Sequence, residues 1–575
     1  MKKKNIGIIL GCLVIVAVGV YLLLGKNGAA AARFARYLPG DAVASVSLTH
    51  LNSVTDGFTA TALGRFLAKD TVHGILQELR VDQRDIDQYD QVHDTVAQVM
   101  TNPAFRTVFG DDSTVALLQP DRPLLARDPA AALRASLVVV AATPASGALD
   151  LFARLVAGKD LTRETVDGLQ LTRIVIDPHQ TVYGLADGRT VLLAYAPAAL
   201  KACMAARQAD ISLEKNPAFQ AATAFWQPFP FATTYSRVFL NTGLIADLLK
   251  TAGLPELKQS GELLQGMEAA VSITYGTKQG LESRARTRYR YDQLHPLVKS
   301  AVDAAATTNP SLHLLRESTL AYSWASSLRP ELFRQTFAGN TQDSQRADAE
   351  LRRVLGVSMD DLGKAIGPQY GGVLDDIVKT GLFPVPKMTL FLGVRDRRIA
   401  ETAVNNIRRT VAGYGVASEE QEAVGGSTIY SWPLLPGEVA QPAMVLTDTM
   451  FYLATSKQAL KEILTTTAPR EALAAPVATM LGPELGNRIG RANFGSFIVY
   501  PQRMSRQTGE MIDWVAGILA TTKNISISRL NREMVQLLRS TELIAATSDL
   551  GREQADWSLT LRSAPPQAAE KPAGH

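Results

Sequence analysis

Cysteine is almost absent from this chain of 575 residues, which contains two, Cys12 and Cys203. Cys12 lies within a strongly apolar N-terminal run, so Cys203 has no partner in the rest of the chain. An intrachain disulfide therefore cannot stabilise the folded part, whose stability must come from buried apolar surface. A chain of this length is expected to form two or more domains.

No charge of one sign dominates, since 59 basic residues face 55 acidic ones and the net charge is +4. That near balance excludes a global attraction to nucleic acid or another acidic polymer. The histidines are scattered and form no H-E-x-x-H motif, so a zinc site is not predicted. A phosphate-binding G-x-x-x-x-G-K-[ST] loop is also lacking. We therefore predict no metal, no cofactor and no nucleic-acid partner.

Catalytic motifs are lacking as well. Ser212 and Lys215 match the S-x-x-K motif, and residues 379–381 the K-T-G motif, of the penicillin-binding serine enzymes. The S-x-N element that this chemistry needs between them is missing. The acidic stretch 81–94 could hold a divalent cation, but it lacks the Gly and the final Glu of an EF-hand loop. We therefore predict that the protein is not an enzyme and has no catalytic residue.

One long apolar run is present, at residues 5–24, and it contains no charge. At about 1.5 Å per residue, a helix of this length crosses a hydrocarbon core of about 30 Å. Cleavage near residues 29–32 and lipid attachment at Cys12 are alternatives, but the run is too long for a signal peptide and continues past Cys12. Residues 2–4 are lysines, which stay in the cytoplasm. We predict a single-pass anchor in the bacterial inner membrane, a cytoplasmic stub at 1–4, and the bulk of the chain periplasmic or extracellular.

The two halves of the chain repeat one pattern. Residues 191–204 (VLLAYAPAALKACM) align without a gap with residues 451–464 (FYLATSKQALKEIL), each reading as a strand, a short turn and a helix. Upstream, RLVAG at 154–158 corresponds to RTVAG at 409–413. Ordered self-similarity of this kind predicts a duplicated structural unit.

The duplication predicts an α+β fold, in which the N-terminal transmembrane helix is followed by two tandem, related lobes with mostly antiparallel sheets covered by helices. The predicted boundaries are 34–294 for the first lobe, 295–311 for a linker, and 312–563 for the second lobe. A tail rich in Pro and Ala at 564–575 is predicted to be disordered.

Arginine alternates along one predicted strand of the first lobe, at Arg284, Arg286, Arg288 and Arg290. A period of two places these side chains on one face. Such a stripe could meet an anionic partner, whereas the alternative is a solvated face or a guarded edge strand. Aromatic residues concentrate nearby at 225–235 (FWQPFPFATTY), which could line an apolar groove or pack in the core.

The stretch YLPGDAVASVSL at residues 37–48 follows the apolar N-terminal run and precedes the doubled strand-and-helix unit. Together these features resemble an uncharacterised bacterial family of membrane-anchored exported proteins, grouped as a domain of unknown function. The resemblance covers most of the chain. It implies the envelope location and the two-lobed build, and it implies no catalytic residue.

These observations favour a membrane-anchored extracytoplasmic binding or scaffold protein with no evident catalytic site. Its expected partners are the membrane, through the anchor, and an envelope protein or lipid. The alternative is a carrier of a lipid or other apolar ligand, which the aromatic stretch and the arginine stripe would serve. A hydrolase that acts through Ser212 is the least favoured hypothesis.

Overall fold

The structure is a computed structural model of the chain. It describes residues 34–49, 51–110, 112–143, 147, 149–150, 153, 161–177, 180–229, 234–251, 255–305, 309–329, 341–380, 383–415, 417–434, 440–465, 481–507 and 526–565. These residues divide between two compact units. The first is drawn from Met1–Lys299, Ile525–Leu537 and Gly551–Thr560, and the second from Ser300–Asn524, Leu538–Leu550 and Leu561–His575.

The first unit is built on a meander of antiparallel strands. Its first ten strands are β1 Ala44–Thr49, β2 Asp112–Leu117, β3 Leu137–Ala142, β4 Leu161–Val166, β5 Leu169–Asp177, β6 Gln180–Asp187, β7 Thr190–Ala194, β8 Thr234–Leu240, β9 Met267–Thr277 and β10 Gly280–Tyr289. They pair antiparallel in the order β4-β5-β6-β7-β3-β2-β1-β8-β9-β10.

The later strands repeat this order. They are β11 Ala321–Ala325, β12 Ile366–Thr380, β13 Phe383–Val394, β14 Glu420–Val424, β15 Ser427–Ser431, β16 Ala443–Leu446, β17 Met450–Ala454, β18 Gly495–Val499, β19 Thr541–Leu550 and β20 Gln554–Ser563. In the second unit the order is β14-β15-β16-β17-β13-β12-β11-β18-β19. Each strand therefore has the neighbours of the strand numbered ten lower, which is what an internal duplication would produce.

Helices fill the connections. Those before residue 300 are α1 Leu51–Phe58, α2 Ala62–Phe66, α3 Lys69–Glu78, α4 Gln83–Thr101, α5 Pro103–Phe109, α6 Arg122–Arg127, α7 Pro129–Ala135, α8 Pro197–Gln208, α9 Pro217–Trp226, α10 Thr242–Thr251, α11 Pro255–Leu263 and α12 Pro296–Asp303. The later helices are α13 Thr341–Leu355, α14 Met359–Ala365, α15 Arg397–Gly413, α16 Lys457–Thr465, α17 Pro483–Arg491, α18 Pro501–Gln507 and α19 Ser528–Arg539.

Local sequence explains several of these boundaries. The turn between β4 and β5 places Asp167 and Gly168 at φ of 52° and 81°, and the turn between β14 and β15 places Gly425 and Gly426 at 58° and 79°. Positive φ at both central residues defines the tight hairpin turn that Asp-Gly and Gly-Gly favour. The equivalent hairpins thus use equivalent turn residues. The N-cap side chain of Asn216 accepts hydrogen bonds from the first turn of α9.

Both faces of the first unit's sheet carry apolar clusters. On one face, Leu192, Phe239 and Ile273 pack with α8 and α9. On the opposite face, Leu193 and Ala141 pack with Val108 and Phe109 of α5. In the second unit the equivalents of the first cluster pack with α16 and α17, and α15 covers part of the other face.

The fold class predicted from the sequence is wrong. The twenty strands of the described residues belong to one antiparallel sheet, instead of two sheets in tandem lobes. β20, which the sequence assigned to the second lobe, pairs with β10 in the first unit. Hydrophobic alternation identifies strands but carries little information about which edges meet, and an unpaired edge leaves backbone N–H and C=O groups open to a neighbour.

The transmembrane part of that prediction has no support from the structure. No helix among the described residues is long and apolar enough to cross a membrane. The predicted stub at 1–4 and anchor at 5–24 lie outside the described residues, as do residues 566–575 of the predicted tail.

Candidate functional site

The predicted arginine stripe lies on the helix-covered face of the first unit's strands. Arg284 and Arg286 of β10 stand opposite Ile273 and Val271 of β9, which are buried core residues. Directly opposed residues project to the same side of a sheet. The register shifts after Arg288, and Arg290 follows the end of the strand. The stripe therefore borders the core on one face instead of forming an isolated solvent-facing row.

Carboxylates pair with three of the four arginines. Arg284 lies 3.1 Å from Glu282, Arg286 donates two hydrogen bonds of 2.6 and 3.2 Å to Asp556, and Arg290 lies 2.7 Å from Glu268. Arg288 is exposed. The positive charge that the sequence placed on this strand is thus largely balanced by neighbouring acids.

The aromatic stretch meets the same strands. The guanidinium of Arg286 lies 5.1 Å from the ring centroid of Phe225, and Phe229 lies 5.1 Å from the ring of Tyr275. Trp226 donates a hydrogen bond of 3.0 Å to the backbone oxygen of Ser272. The arginine stripe and the aromatic stretch, which are distant in sequence, are therefore in contact in the structure. The described aromatic rings pack against the sheet. Residues 230–233 lie outside the described residues.

A buried arginine in this region was missed in the sequence. Arg237 of β8 is 3% exposed. Burial lowers its pKa to about 10, although the charge of Asp112 acts to raise it. Its neighbour across the strands is Ser47, whose hydroxyl lies 2.7 Å from that of Thr114. Thr114, Ser47 and Arg237 form a row, named here the polar row. The polar alternation of β1 (ASVSLT) was its signal, but alternation alone did not show that the polar side faces the core.

The polar row borders a tyrosine held by a carboxylate. The Tyr275 hydroxyl donates a hydrogen bond of 2.6 Å to Glu282. Burial, aided by Glu282, raises the pKa of Tyr275 to about 12, so this group stays protonated at physiological pH. The cluster is ordered by hydrogen bonds and contains no nucleophile activated by a base.

The S-x-x-K match has a structural role in the fold. Ser212 is buried and forms an isolated antiparallel bridge with Pro39. The Leu213 backbone N–H donates a hydrogen bond of 2.7 Å to the oxygen of Leu38, and Lys215 pairs with Asp210 at 3.1 Å. Docking of the YLPGDA segment therefore accounts for this motif. The K-T-G match begins at the end of β12, and its glycine lies outside the described residues.

The acidic stretch 81–94 lies mostly on α4, where two of its carboxylates pair with side chains of α3. Asp90 lies 2.8 Å from His73, and Asp94 lies 2.5 Å from Lys69. Within the described ranges, no group of three or more His, Cys, Asp or Glu side chains is placed to hold a metal ion.

The second unit has an apolar surface that its counterpart lacks. Phe497, Ser323, Gly372, Leu390 and Leu453 are consecutive neighbours across β18, β11, β12, β13 and β17. Leu390, Leu453 and Phe497 are 43%, 44% and 42% exposed. These five residues form a continuous row on the face opposite the α16 and α17 core, and we call it the open face.

The register identifies the equivalent row of the first unit. Leu390 opposes Leu453 as Val139 opposes Leu193. Leu193 is 7% exposed because it packs in the cluster that contains Val108 and Phe109 of α5. Equivalent positions are thus covered by a helix in one unit and exposed in the other.

A charged cluster occupies another part of the second unit. Asp375 lies in the bulge of β12 and accepts a hydrogen bond of 2.9 Å from Thr319. Burial raises the pKa of the Asp375 carboxyl, with Lys387 and Arg316 acting in the opposite direction. Lys387 and Arg316 both pair with Glu462 of α16. The cluster ties the sheet to α16, and each of its carboxylates has a cation or a hydroxyl nearby.

Comparison with protein families identifies one match. A family model described as "Protein of unknown function (DUF3352)" matches residues 108–550, which is most of the chain. The chain belongs to this family. The match includes both sets of strands except β1 and β20.

No curated protein matches this chain. Among solved structures, one described as "Structure of crystal form III of TP0453" is similar, with 8% sequence identity and a TM-score of 0.21. The similarity covers 44% of this chain and 78% of that one. At this TM-score the similarity supports no conclusion about the fold or function of this DUF3352 member.

Proposed function

We propose that this protein is a noncatalytic binding or scaffold protein of the bacterial cell envelope, and that its second unit binds an amphipathic helix of a partner protein on the open face. The observation that carries the proposal is the contrast between Leu453, which is exposed, and the equivalent Leu193, which is buried in the cluster that contains Val108 and Phe109 of α5. A contiguous exposed apolar surface is typical of a protein interaction site.

The partner's chemistry is inferred from what covers equivalent surface in this chain. In the first unit, apolar side chains of α5 lie on this row. In the second unit, Val404 and Val411 of α15 pack beside it on Met444 and Phe451. Both are helices that present an apolar side to the antiparallel sheet. A third helix of this kind, supplied by another protein, fits the open face.

Small residues in the row support a close approach. Gly372 and Ser323 stand between Phe497 and Leu390, and the Leu390 side chain leans over Gly372, where a Cβ would lie 2.8 Å from its Cδ2. A large apolar side chain of a helix would pack against Leu390 and Phe497 across these small residues. Burial of such an anchor residue is the usual main source of binding free energy at an interface.

The proposed location rests on the sequence. The apolar run 5–24 and the lysines at 2–4 orient the chain with its bulk outside the cytoplasm. A fusion of alkaline phosphatase to the C-terminus should be active, because this enzyme needs oxidising conditions to fold. A fusion active only as a cytoplasmic reporter would contradict the location.

Site-specific photocrosslinking in intact cells tests the open face. A photoreactive amino acid at Leu453 should crosslink to a protein, and mass spectrometry should place the crosslink within an amphipathic helical segment. Leu390→Glu should abolish the crosslink, since it sets a charge in the apolar row. Leu434→Glu is the matched control, because Leu434 is 49% exposed and lies outside the row.

Each result separates the hypotheses. Loss of the crosslink with L390E but not with L434E supports the proposal. Crosslinks only to phospholipid would support the alternative, a carrier of a lipid or other apolar ligand, and would contradict a protein partner. Crosslinks only to a second copy of the chain, or none at all, would contradict it as well.

A further inference from the structure

Two cations of the first unit converge on one aromatic ring. The Lys299 ammonium nitrogen lies 4.5 Å from the ring centroid of Tyr291, and the guanidinium carbon of Arg552 lies 5.0 Å from the same centroid. Tyr291 follows β10, Lys299 lies on α12, and Arg552 lies two residues before the start of β20. Three separate segments therefore bring these side chains together.

The backbone holds these segments in place. The Tyr289 N–H donates a hydrogen bond of 3.1 Å to the backbone oxygen of Glu553, and its hydroxyl donates one of 2.5 Å to the oxygen of Gly551. Tyr289 is buried. The turn that carries Arg552 is thus fixed to the end of β10, beside Tyr291, before any ligand binds.

The charges of this pair are not balanced locally. In the described part of the chain, neither Lys299 nor Arg552 forms an ion pair, and the neighbouring acids Asp292 and Glu553 form none with them. Arg290, one residue before Tyr291, differs because Glu268 lies 2.7 Å from it. Arg290 therefore has a carboxylate partner, whereas Lys299 and Arg552 have none among the described residues.

Two like charges held near one ring repel each other. The face of the ring attracts each of them, but weakly at an exposed site. A compact anion with several oxygens would accept hydrogen bonds from the ammonium and the guanidinium at once, and would replace the repulsion by attraction to both. Arginine also offers two parallel N–H donors, which match a phosphate group.

We propose that Lys299, Arg552 and Tyr291 form a binding site for a phosphate group, either free inorganic phosphate or the phosphate of a lipid headgroup. The site differs from the arginine stripe, since its two cations lie outside that strand. It is also independent of the open face, which belongs to the second unit.

The test uses the full-length protein and two probes. One is inorganic phosphate, with binding followed by isothermal titration calorimetry. The other is cosedimentation with vesicles of 30% phosphatidylglycerol in phosphatidylcholine, compared with vesicles of phosphatidylcholine alone. The double variant K299Q/R552Q removes both charges and keeps side-chain length. R290Q is the matched control, because it removes a neighbouring charge that Glu268 already balances.

We expect K299Q/R552Q to weaken binding of the active probe about tenfold or more, since it removes charge-assisted hydrogen bonds, and R290Q to weaken it less than about twofold. Binding of phosphate in solution assigns the site to a free ion, and binding of anionic vesicles alone assigns it to a headgroup. Absence of binding to both probes, or equal losses in R290Q and K299Q/R552Q, would overturn the proposal. Circular dichroism confirms that the variants fold.

Discussion

The two units share one strand order but fill equivalent core positions differently. In the first unit, Ser47 stands between Thr114 and Arg237. In the second, Trp324 stands between Gly371 and Ser496, and it is 2% exposed. One unit therefore places a hydrogen-bonded, charged row where the other places a large aromatic side chain flanked by small residues.

This difference shows that strand order does not depend on the chemistry of the central row. What the row must supply is filled volume. The glycine at 371 follows from the same requirement, because a Cβ there would lie 2.5 Å from the Phe391 ring and 2.1 Å from the oxygen of Ser323. The shared strand order thus accommodates a polar row in one unit and an aromatic side chain in the other.

The two units also differ on the opposite face of their strands. In the first unit, Leu193 is buried in a cluster with Leu149, Val108 and Phe109, whereas the second unit leaves the open face exposed. The first unit therefore has buried apolar clusters on both faces of its strands, whereas the second unit leaves the open face exposed.

The largest expected effect concerns the covered and exposed leucines. Leu193→Asp should destabilise the protein by about 4 kcal/mol or more, because it removes a buried leucine and buries a carboxylate. Leu453→Asp should change the free energy of unfolding by less than about 0.5 kcal/mol. Urea unfolding followed by circular dichroism measures both. Equal destabilisation would show that the open face is covered within the chain itself.

Trp324 gives the next largest effect. Trp324→Ala should cost about 3–5 kcal/mol, since it leaves a large cavity in the second core. Trp324→Phe should cost much less, because the buried indole N–H has no hydrogen-bond partner in the described structure and its removal releases that penalty. Urea unfolding measures both losses, and their ratio shows whether Trp324 stabilises the core through packing or through its indole N–H. A large loss in W324F would contradict this account.

The polar row should be less sensitive. Arg237→Met keeps the side-chain volume but removes the buried positive charge that interacts with Asp112. We therefore expect the free energy of unfolding to fall by about 2–3 kcal/mol. Adding Asp112→Asn should recover part of that loss, and a double-mutant cycle measures the coupling. Additive losses would show that the two charges do not interact.

The smallest effect concerns pH. Burial raises the pKa of Asp375 above its unfolded value, so its contribution to stability is full below the unfolded pKa and falls as pH rises through the folded pKa. Asp375→Asn should therefore stabilise the protein at pH 7 relative to wild type, and the gain should shrink toward pH 3. Unfolding midpoints across this range check the sign. A gain that grows toward acid pH would contradict the assignment to Asp375.

Much of the local structure follows from the sequence. The repeated strand-and-helix segments appear as β7 with α8 and β17 with α16, because apolar alternation and the turn residues before a helix are local signals. The aromatic stretch and the arginine stripe were also visible. The contact between them was not visible in the sequence, because Phe225 and Arg286 are distant in the chain and meet only where the helix packs on the sheet.

The sequence by itself determined which segments are strands and helices, the tight turns, and the repeat of these elements in the two halves of the chain. Tertiary structure alone decided that β20 pairs with β10, that the polar side of β1 faces inward, and that Leu193 is buried while Leu453 is exposed. The physical reason is range: turn geometry and amphipathic period act over a few residues, whereas strand pairing, burial and charge balance depend on which distant segments come into contact.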